Sequence, residues 1–160
     1  MSGALRGLAL GTALAGAVTG GVFVAFSTFV MPALGRLPAD QAMRAMQAVN
    51  AQAPRSLLMV PLVGSAVGCL AVAGWALFRA DLPGRGWLLV GAGAGLVAFA
   101  VTAAYHVPHN DALARLRPAA PGSAEQWARY ASAWTRWNHA RAVAALVSAA
   151  ALVVGVLDRR

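Results

Sequence analysis

The sequence contains little charge: only 11% of its 160 residues are charged, and 59% are hydrophobic. A soluble domain of this size carries about 25% charged residues. The composition therefore argues against a soluble globular domain and against a disordered chain. It predicts an integral membrane protein of one domain, covering residues 1–160.

Cysteine is nearly absent, since Cys69 is the single thiol in the chain. One thiol forms no internal disulfide, which excludes the membrane thiol–disulfide oxidoreductases, and it also excludes cysteine-rich zinc sites. We interpret Cys69 as a small core residue, because it lies inside an apolar run.

Lysine is missing altogether, so all 13 basic residues are arginine. With so much Ala, Gly and Val, this usage indicates a GC-rich bacterial genome. The net charge of +8 is also found among nucleic-acid-binding proteins, but here the arginines are scattered between apolar runs. We therefore expect no nucleic-acid partner and expect the arginines to meet lipid headgroups.

Uncharged runs predict four membrane spans, at about 7–31, 56–78, 86–107 and 136–157. A helix needs about 20 apolar residues to cross the hydrocarbon core. The run after Arg141 has only 16 residues before Asp158, so the fourth span has to include residues before Arg141. The first run is longer than the apolar region of a signal peptide and is expected to be retained. The predicted fold is an all-α bundle of four transmembrane helices.

Four spans place both termini on one side and the two long connections, 31–54 and 107–137, on the other. The long connections hold eight arginines and the terminal side holds five, which favours cytoplasmic long loops in a bacterial plasma membrane. Segments of the GxxxG type at 16–20, 64–68 and 91–95 predict close helix packing. They fit internal packing and a homo-oligomer equally well.

The first long connection contains a candidate amphipathic helix at residues 38–50. Ala42, Met43, Met46 and Val49 recur at three- and four-residue steps, which predicts a short helix on the mouth of the bundle or at the membrane interface. Asn50 at its end is either a helix C-cap or a site residue. Upstream, Pro32 is expected to end or kink the first helix.

The third span runs into a polar segment, Tyr105–Asn110. Pro108 should disturb the backbone bond to Ala104, and His106 and Asn110, four residues apart, share a helix face. His109 is three residues from His106, so the two could also ligate a metal. The alternative is that these polar groups mark the membrane interface.

The last helix carries the most informative pattern. Ser123 and Gln126 form a capping box, with Ser123 as N-cap, and nothing breaks the helix before Leu157. The helix is therefore about 34 residues and about 50 Å long. One face carries aromatic and polar side chains in turn: Trp127, Tyr130, Trp134, Asn138 and Arg141.

An aromatic belt at the interface explains the rings of this face, but it explains Asn138 and Arg141 poorly. Polar groups at membrane depth usually face the bundle interior and are functional by default. The polar inventory at this mouth of the bundle is Asn50, His106, His109, Asn110, Asn138, His139 and Arg141.

This inventory favours proton-transfer chemistry. No acidic residue lies well inside a span, which argues against a cation-coupled exporter and against a carboxylate-bridged di-iron centre. Histidine is the natural base near neutral pH, and Asn and Arg donors stabilise an oxyanion in a dry pocket. We therefore predict removal of an acidic C–H proton from an apolar, flat substrate, with Met31, Tyr105 and Trp134 walling the pocket.

The chain resembles the anthrone oxygenase family, whose members are small four-span membrane proteins. The resemblance covers nearly the whole sequence and rests on five segments: Gly21–Ser27, Met31–Leu34, Ala45–Asn50, Val107–Asn110 and Trp134–Arg141. The most specific are the V-P-x-N turn of Val107–Asn110 and the W-x-x-x-N-x-x-R pattern of Trp134–Arg141.

The resemblance implies oxidation of anthrones to anthraquinones without a metal or flavin cofactor. By resemblance, the site residues are Asn50, Asn110, Trp134, Asn138 and Arg141. His106 or His109 would be the base, and Asn138 and Arg141 would hold the oxyanion.

Three functions remain open at this point. The first is a cofactor-independent oxygenase acting on an apolar aromatic molecule from the bilayer. The second is a non-catalytic membrane protein that binds a lipid or a partner. The third is a metal or haem redox protein that uses His106 and His109.

Overall fold

Seven α-helices make up most of residues 1–158. The computed structural model describes residues 1–158, and this part of the chain contains no strand. The helices are α1 (Gly3–Ala25), α2 (Met31–Leu34), α3 (Ala39–Gln52), α4 (Met59–Leu77), α5 (Arg85–Val101), α6 (Val107–Ala114) and α7 (Ser123–Leu157). Two π-helical turns, Phe26–Val30 and Thr102–His106, join α1 to α2 and α5 to α6, and the 3-10 helix Ala53–Arg55 precedes α4.

Four of these helical segments are long and apolar enough to cross a membrane, as expected for a multi-pass membrane protein. They are Gly3–Leu34, Met59–Leu77, Arg85–Ala114 and Ser123–Leu157. The prediction of an all-α bundle of four spanning helices is confirmed. The exact span limits and the assignment of residues 1–160 to one membrane domain stay predictions.

Each π turn ends two residues before a proline. The N–H of Met31 donates to the carbonyl of Phe26, and the N–H of Val107 donates to that of Thr102, each five residues back. A proline has no N–H, and its ring crowds the carbonyl four residues earlier, so a wider turn relieves the clash. Pro32 and Pro108 are thus accommodated, and the first helical segment continues to Leu34.

The centre of the bundle is α7, which packs along α1 and α5, while α4 contacts the same two helices. Small residues allow the close approach between α5 and α7. A Cβ added at Gly91 would lie 2.8 Å from Cγ of Leu152. Cys69 is fully buried and lies 3.8 Å from the hydroxyl of Ser148 on α7.

The amphipathic helix predicted in the first long connection is α3. Its residues Ala42, Met43 and Met46 are fully buried and belong to a cluster with side chains of α6 and α7. The Nε2 of Gln47 donates to the carbonyls of Leu113 and Leu116, at 2.9 and 3.1 Å. These contacts hold α3 across the mouth of the bundle.

Two details of the helix ends differ from expectation. The helix α3 continues to Gln52, so Asn50 is not its C-cap. The N-cap of α7 is Gly122, with a φ of +81°, and Ser123 is the first helical residue with no side-chain capping bond. The capping-box prediction was therefore wrong, because a left-handed glycine makes the entry into α7.

Candidate functional site

A cavity of about 440 Å³ opens between the first part of α4, the end of α3 and the two π-turn regions. Its volume falls in the range typical of small-molecule sites. The lining is mostly apolar and comprises Val22, Phe23, Phe26, Val49, Asn50, Ala53, Pro54, Leu58, Met59, Leu62, Val63, Phe99, Thr102, Ala103, His106, Val107, Asn110, Trp134 and Arg141. No acidic side chain of the described chain is among them.

Apolar side chains connect the cavity with the outer surface of the bundle. Val63 on α4 and Val107 on α6 both line the cavity, and they are 42% and 50% exposed. Both lie in helices that can cross a membrane. The cavity lining and the exposed apolar surface of the bundle therefore share these two side chains.

Arg141 is buried at one end of this cavity, with 7% of its surface exposed. Its Nε donates to Oδ1 of Asn138 at 2.8 Å, and its Nη1 donates to Oγ1 of Thr102 at 3.3 Å. The guanidinium carbon lies 3.8 Å from the centre of the Phe23 ring. The charge is thus held by two neutral acceptors and a ring face, and it has no carboxylate partner within the described residues.

Asn138 is fully buried and does not line the cavity. Its Nδ2 donates to the carbonyl of Phe23 at 2.7 Å and to the hydroxyl of Ser27 at 2.6 Å. The side chain therefore ties α7 to α1 and presents its oxygen to Arg141. Asn138 therefore orients the guanidinium without being part of the cavity lining itself.

His106 is the buried histidine of the site, with 1% of its surface exposed. Its Nδ1 lies 3.3 Å from the carbonyl oxygen of Val101, and its ring meets that of Trp134 edge-on at 5.1 Å. Since a carbonyl only accepts, this contact requires a proton on Nδ1. Nε2 is buried and has no hydrogen-bond partner in the described part of the chain.

A chain of amides and aromatic donors lies nearer the mouth. Asn110 Oδ1 accepts from the indole N–H of Trp134 at 3.0 Å and from the hydroxyl of Tyr130 at 2.9 Å. The same hydroxyl oxygen accepts from Nδ2 of Asn50 at 3.2 Å. These bonds connect α3, α6 and α7.

The structure brings five of the predicted site residues together at the cavity: Asn50, His106, Asn110, Trp134 and Arg141. Asn138 lies behind them. Met31 is buried in the cluster beneath α3, away from the cavity lining.

The other two predicted residues, Tyr105 and His109, lie outside the cavity lining. His109 is exposed, and its ring stacks on Tyr105 at 3.8 Å, while Tyr105 stacks on Trp137 at 4.9 Å. His139 is also exposed. Within residues 1–158 no group of three or more His, Cys, Asp or Glu side chains is positioned to hold a metal. The metal alternative therefore lacks such a ligand set there.

Two polar side chains that bond Asn138 and Arg141 were not predicted from the sequence, namely Ser27 and Thr102. Thr102 had a usable signal, because Thr102, His106 and Asn110 follow one another at four-residue steps into the cavity. Ser27 had none, since it is one small polar residue in an apolar span.

Comparison with known proteins agrees with the resemblance. The model of the anthrone oxygenase family matches residues 55–151, which is more than half of the 160-residue chain. The matched range contains His106, Asn110, Trp134, Asn138 and Arg141, whereas Asn50 precedes it. No curated protein and no solved structure matches the chain. On the family match, this four-span membrane protein belongs to the anthrone oxygenase family.

Proposed function

We propose that the protein is an oxygenase that oxidises an apolar, flat aromatic substrate of the anthrone type with dioxygen. The observation that carries the proposal is the pairing of His106 and Arg141 in one apolar cavity. His106 supplies a lone pair without a protein partner, and Arg141 supplies a cation without a protein carboxylate. A proton acceptor and an oxyanion binder are the two groups that enolate formation needs.

The first step is proton transfer. Nε2 of His106 takes a proton from the benzylic carbon opposite the ketone of the anthrone, and the ketone oxygen becomes an enolate oxygen beside Arg141. The apolar lining strengthens this ion pair, because little water screens it. Asn138 and Thr102 keep the guanidinium in place while the charge develops.

The second step uses the electrons of the substrate. The enolate passes one electron to dioxygen, and the resulting radical pair combines to form a peroxide at the benzylic carbon. Loss of water from this peroxide gives the second ketone, with the proton returned from His106. The balance is one anthrone and one dioxygen to one anthraquinone and one water.

The substrate reaches the cavity from the bilayer in this proposal, and membrane lipids surround the entrance. Support comes from the exposed apolar side chains of Val63 and Val107 at the rim. For location we propose a bacterial plasma membrane, with both termini on one side and the long connections in the cytoplasm. The distribution of arginines supports this orientation.

The experiment measures oxygen uptake and anthraquinone formation from a simple anthrone by the purified full chain in detergent. The expected result is one dioxygen consumed per anthraquinone, above the spontaneous rate, with one atom of labelled oxygen in each product molecule. Correctly folded protein that gives no rate above background would contradict the proposal.

The second candidate function is a non-catalytic binder of an anionic lipid. The buried Arg141 without a carboxylate partner favours it, since a lipid phosphate or carboxylate would pair with the cation. An anionic lipid retained through purification and a Tm that depends on that lipid, both without turnover, would favour this candidate.

A further inference from the structure

The hydrogen bonds around Trp134 fix the orientations of the Asn50 and Asn110 amides. An indole N–H only donates, so the atom of Asn110 that lies 3.0 Å from it has to be the carbonyl oxygen. The Tyr130 oxygen at 2.9 Å from the same Oδ1 then has to donate its proton. Having donated, it accepts from Asn50, so Nδ2 of Asn50 faces Tyr130. The indole N–H, which can only donate, thus determines the hydrogen-bonding orientation of Asn110, Tyr130 and Asn50.

The consequence is a pair of unused groups. The side-chain oxygen of Asn110 is bonded within the network and its NH2 is free. For Asn50 the NH2 is bonded and the oxygen is free. Neither remaining group has a hydrogen-bond partner in residues 1–158, and both side chains line the cavity. The cavity lining therefore includes one free donor and one free acceptor, on two side chains that both bond the Tyr130 hydroxyl.

Trp134 contacts several groups of the site at once. Its indole N–H bonds Asn110, and the guanidinium carbon of Arg141 lies 5.4 Å from the centre of its ring. The ring of His106 meets the same indole edge-on at 5.1 Å. The amide pair, the histidine and the cation therefore surround one aromatic side chain of the cavity lining.

We infer that Asn110 and Asn50 form a specificity subsite for a neutral hydroxyl group of the aromatic ligand. The hydroxyl oxygen accepts from Nδ2 of Asn110, and the hydroxyl proton goes to Oδ1 of Asn50 as a hydrogen bond. An ether or a carbonyl satisfies only the first of these groups. Tyr130 and Trp134 are positioning residues, because they hold the amides in this orientation.

This inference rests on the proposed function for the type of ligand, but binding alone tests it. The probes are anthraquinone, 2-hydroxyanthraquinone and 2-methoxyanthraquinone, titrated into the full chain in detergent by quenching of tryptophan fluorescence. A slightly acidic pH keeps the hydroxyl protonated. Each ligand partitions into micelles equally for every variant, so ratios between variants do not depend on partitioning.

We expect the wild type to bind the hydroxy compound about tenfold more tightly than the other two, the effect of one or two neutral hydrogen bonds. Asn50→Leu should remove the preference for hydroxy over methoxy, and Asn110→Leu should remove the preference over the parent compound. Asp111→Ala, an exposed neighbour of Asn110, should keep the full preference.

A wild type that does not prefer the hydroxy compound would overturn the inference without any variant. Preference retained in both leucine variants would overturn it as well. If Asn110→Leu loses its folded Tm, Asn50→Leu carries the test, because the Trp134 to Asn110 bond is intact there.

Oxygen uptake separates this inference from the proposed function. Hydroxyl preference without turnover would leave the subsite standing and remove the oxygenase. Turnover without hydroxyl preference would leave the oxygenase function standing and remove the subsite.

Discussion

Nε of Arg141 donates a 2.8 Å hydrogen bond to Oδ1 of Asn138, one turn earlier on α7. The other end of Asn138 is bound to the carbonyl of Phe23 and the hydroxyl of Ser27 on the first helical segment. The position of the guanidinium in the cavity therefore depends on how α7 is docked against α1. A change that disturbs the contact between α7 and α1 is therefore expected to displace the Arg141 guanidinium as well.

Asn138→Ala should weaken both the docking and the site. It leaves the Phe23 carbonyl, the Ser27 hydroxyl and Nε of Arg141 without their partner, which costs about 2 kcal/mol of unfolding free energy. Turnover of an anthrone should fall by about tenfold or more, because Arg141 keeps only its bond to Thr102. Thermal unfolding in detergent and oxygen uptake measure the two effects. Thr28→Val, at an exposed position next to Ser27, is the control, and equal effects in both variants would contradict the assignment.

The two candidate bases, His106 and His109, differ in burial and in their position relative to the cavity. His106→Gln should lower turnover by about 10² to 10⁴, the usual contribution of a general base. His109→Gln and His139→Gln should leave turnover near the wild-type rate, since both side chains are exposed and lie outside the cavity lining. Initial rates of anthraquinone formation are the measurement. Loss of activity in the His109 variant alone would transfer the role of base to that residue.

Arg141→Lys keeps a positive charge but should still lower kcat by about 10². The ammonium has no planar fork with which to hold Asn138 and Thr102 while facing the oxyanion. Arg136→Lys, at an exposed position on the same helix, should have no effect on kcat. Full activity of the lysine variant at Arg141 would show that charge alone suffices.

Gly91 and Gly93 are a matched pair on α5. A Cβ at Gly91 would lie 2.8 Å from Leu152 Cγ and 2.9 Å from its backbone nitrogen, whereas a Cβ at Gly93 meets nothing within 4 Å. Gly91→Ala should therefore lower the Tm, because α5 and α7 have to separate. Gly93→Ala should keep or raise the Tm, since alanine favours the helix by up to about 1 kcal/mol. A Tm for Gly91→Ala at or above that of Gly93→Ala would contradict this packing.

The sequence predicts the number of membrane-spanning helices because charge is expensive inside a bilayer. Arginines and aspartates bracket the apolar runs, and the structure has in those runs four helices long and apolar enough to cross a membrane. The repeat of Ala42, Met43 and Met46 identified α3 for a related reason. That helix has one polar face, so its apolar positions show which side is buried.

The rotation of the spanning helices is harder to predict. Lipid and bundle interior are both apolar, so the hydrophobic pattern of α5 does not tell which face points inward. His106 and His109 therefore looked equivalent, although one is buried and the other exposed. The partners of Asn138 are more than 100 residues away in sequence, at separations of 115 for Phe23 and 111 for Ser27. No local pattern predicts contacts of that kind.

The number of residues in the π turn before Pro108 determines the direction in which the later side chains of this helical segment point. Each residue of a helix turns the chain by about 100°, so one residue more or fewer between Thr102 and His106 rotates all later side chains by that angle. A deletion of one residue there would leave the apolar length of the third span almost unchanged. It would also swing Asn110 away from Tyr130 and Trp134 and separate the amide pair. A related sequence can thus keep four apolar spans and still lose the site, because one residue has been inserted or deleted in this turn.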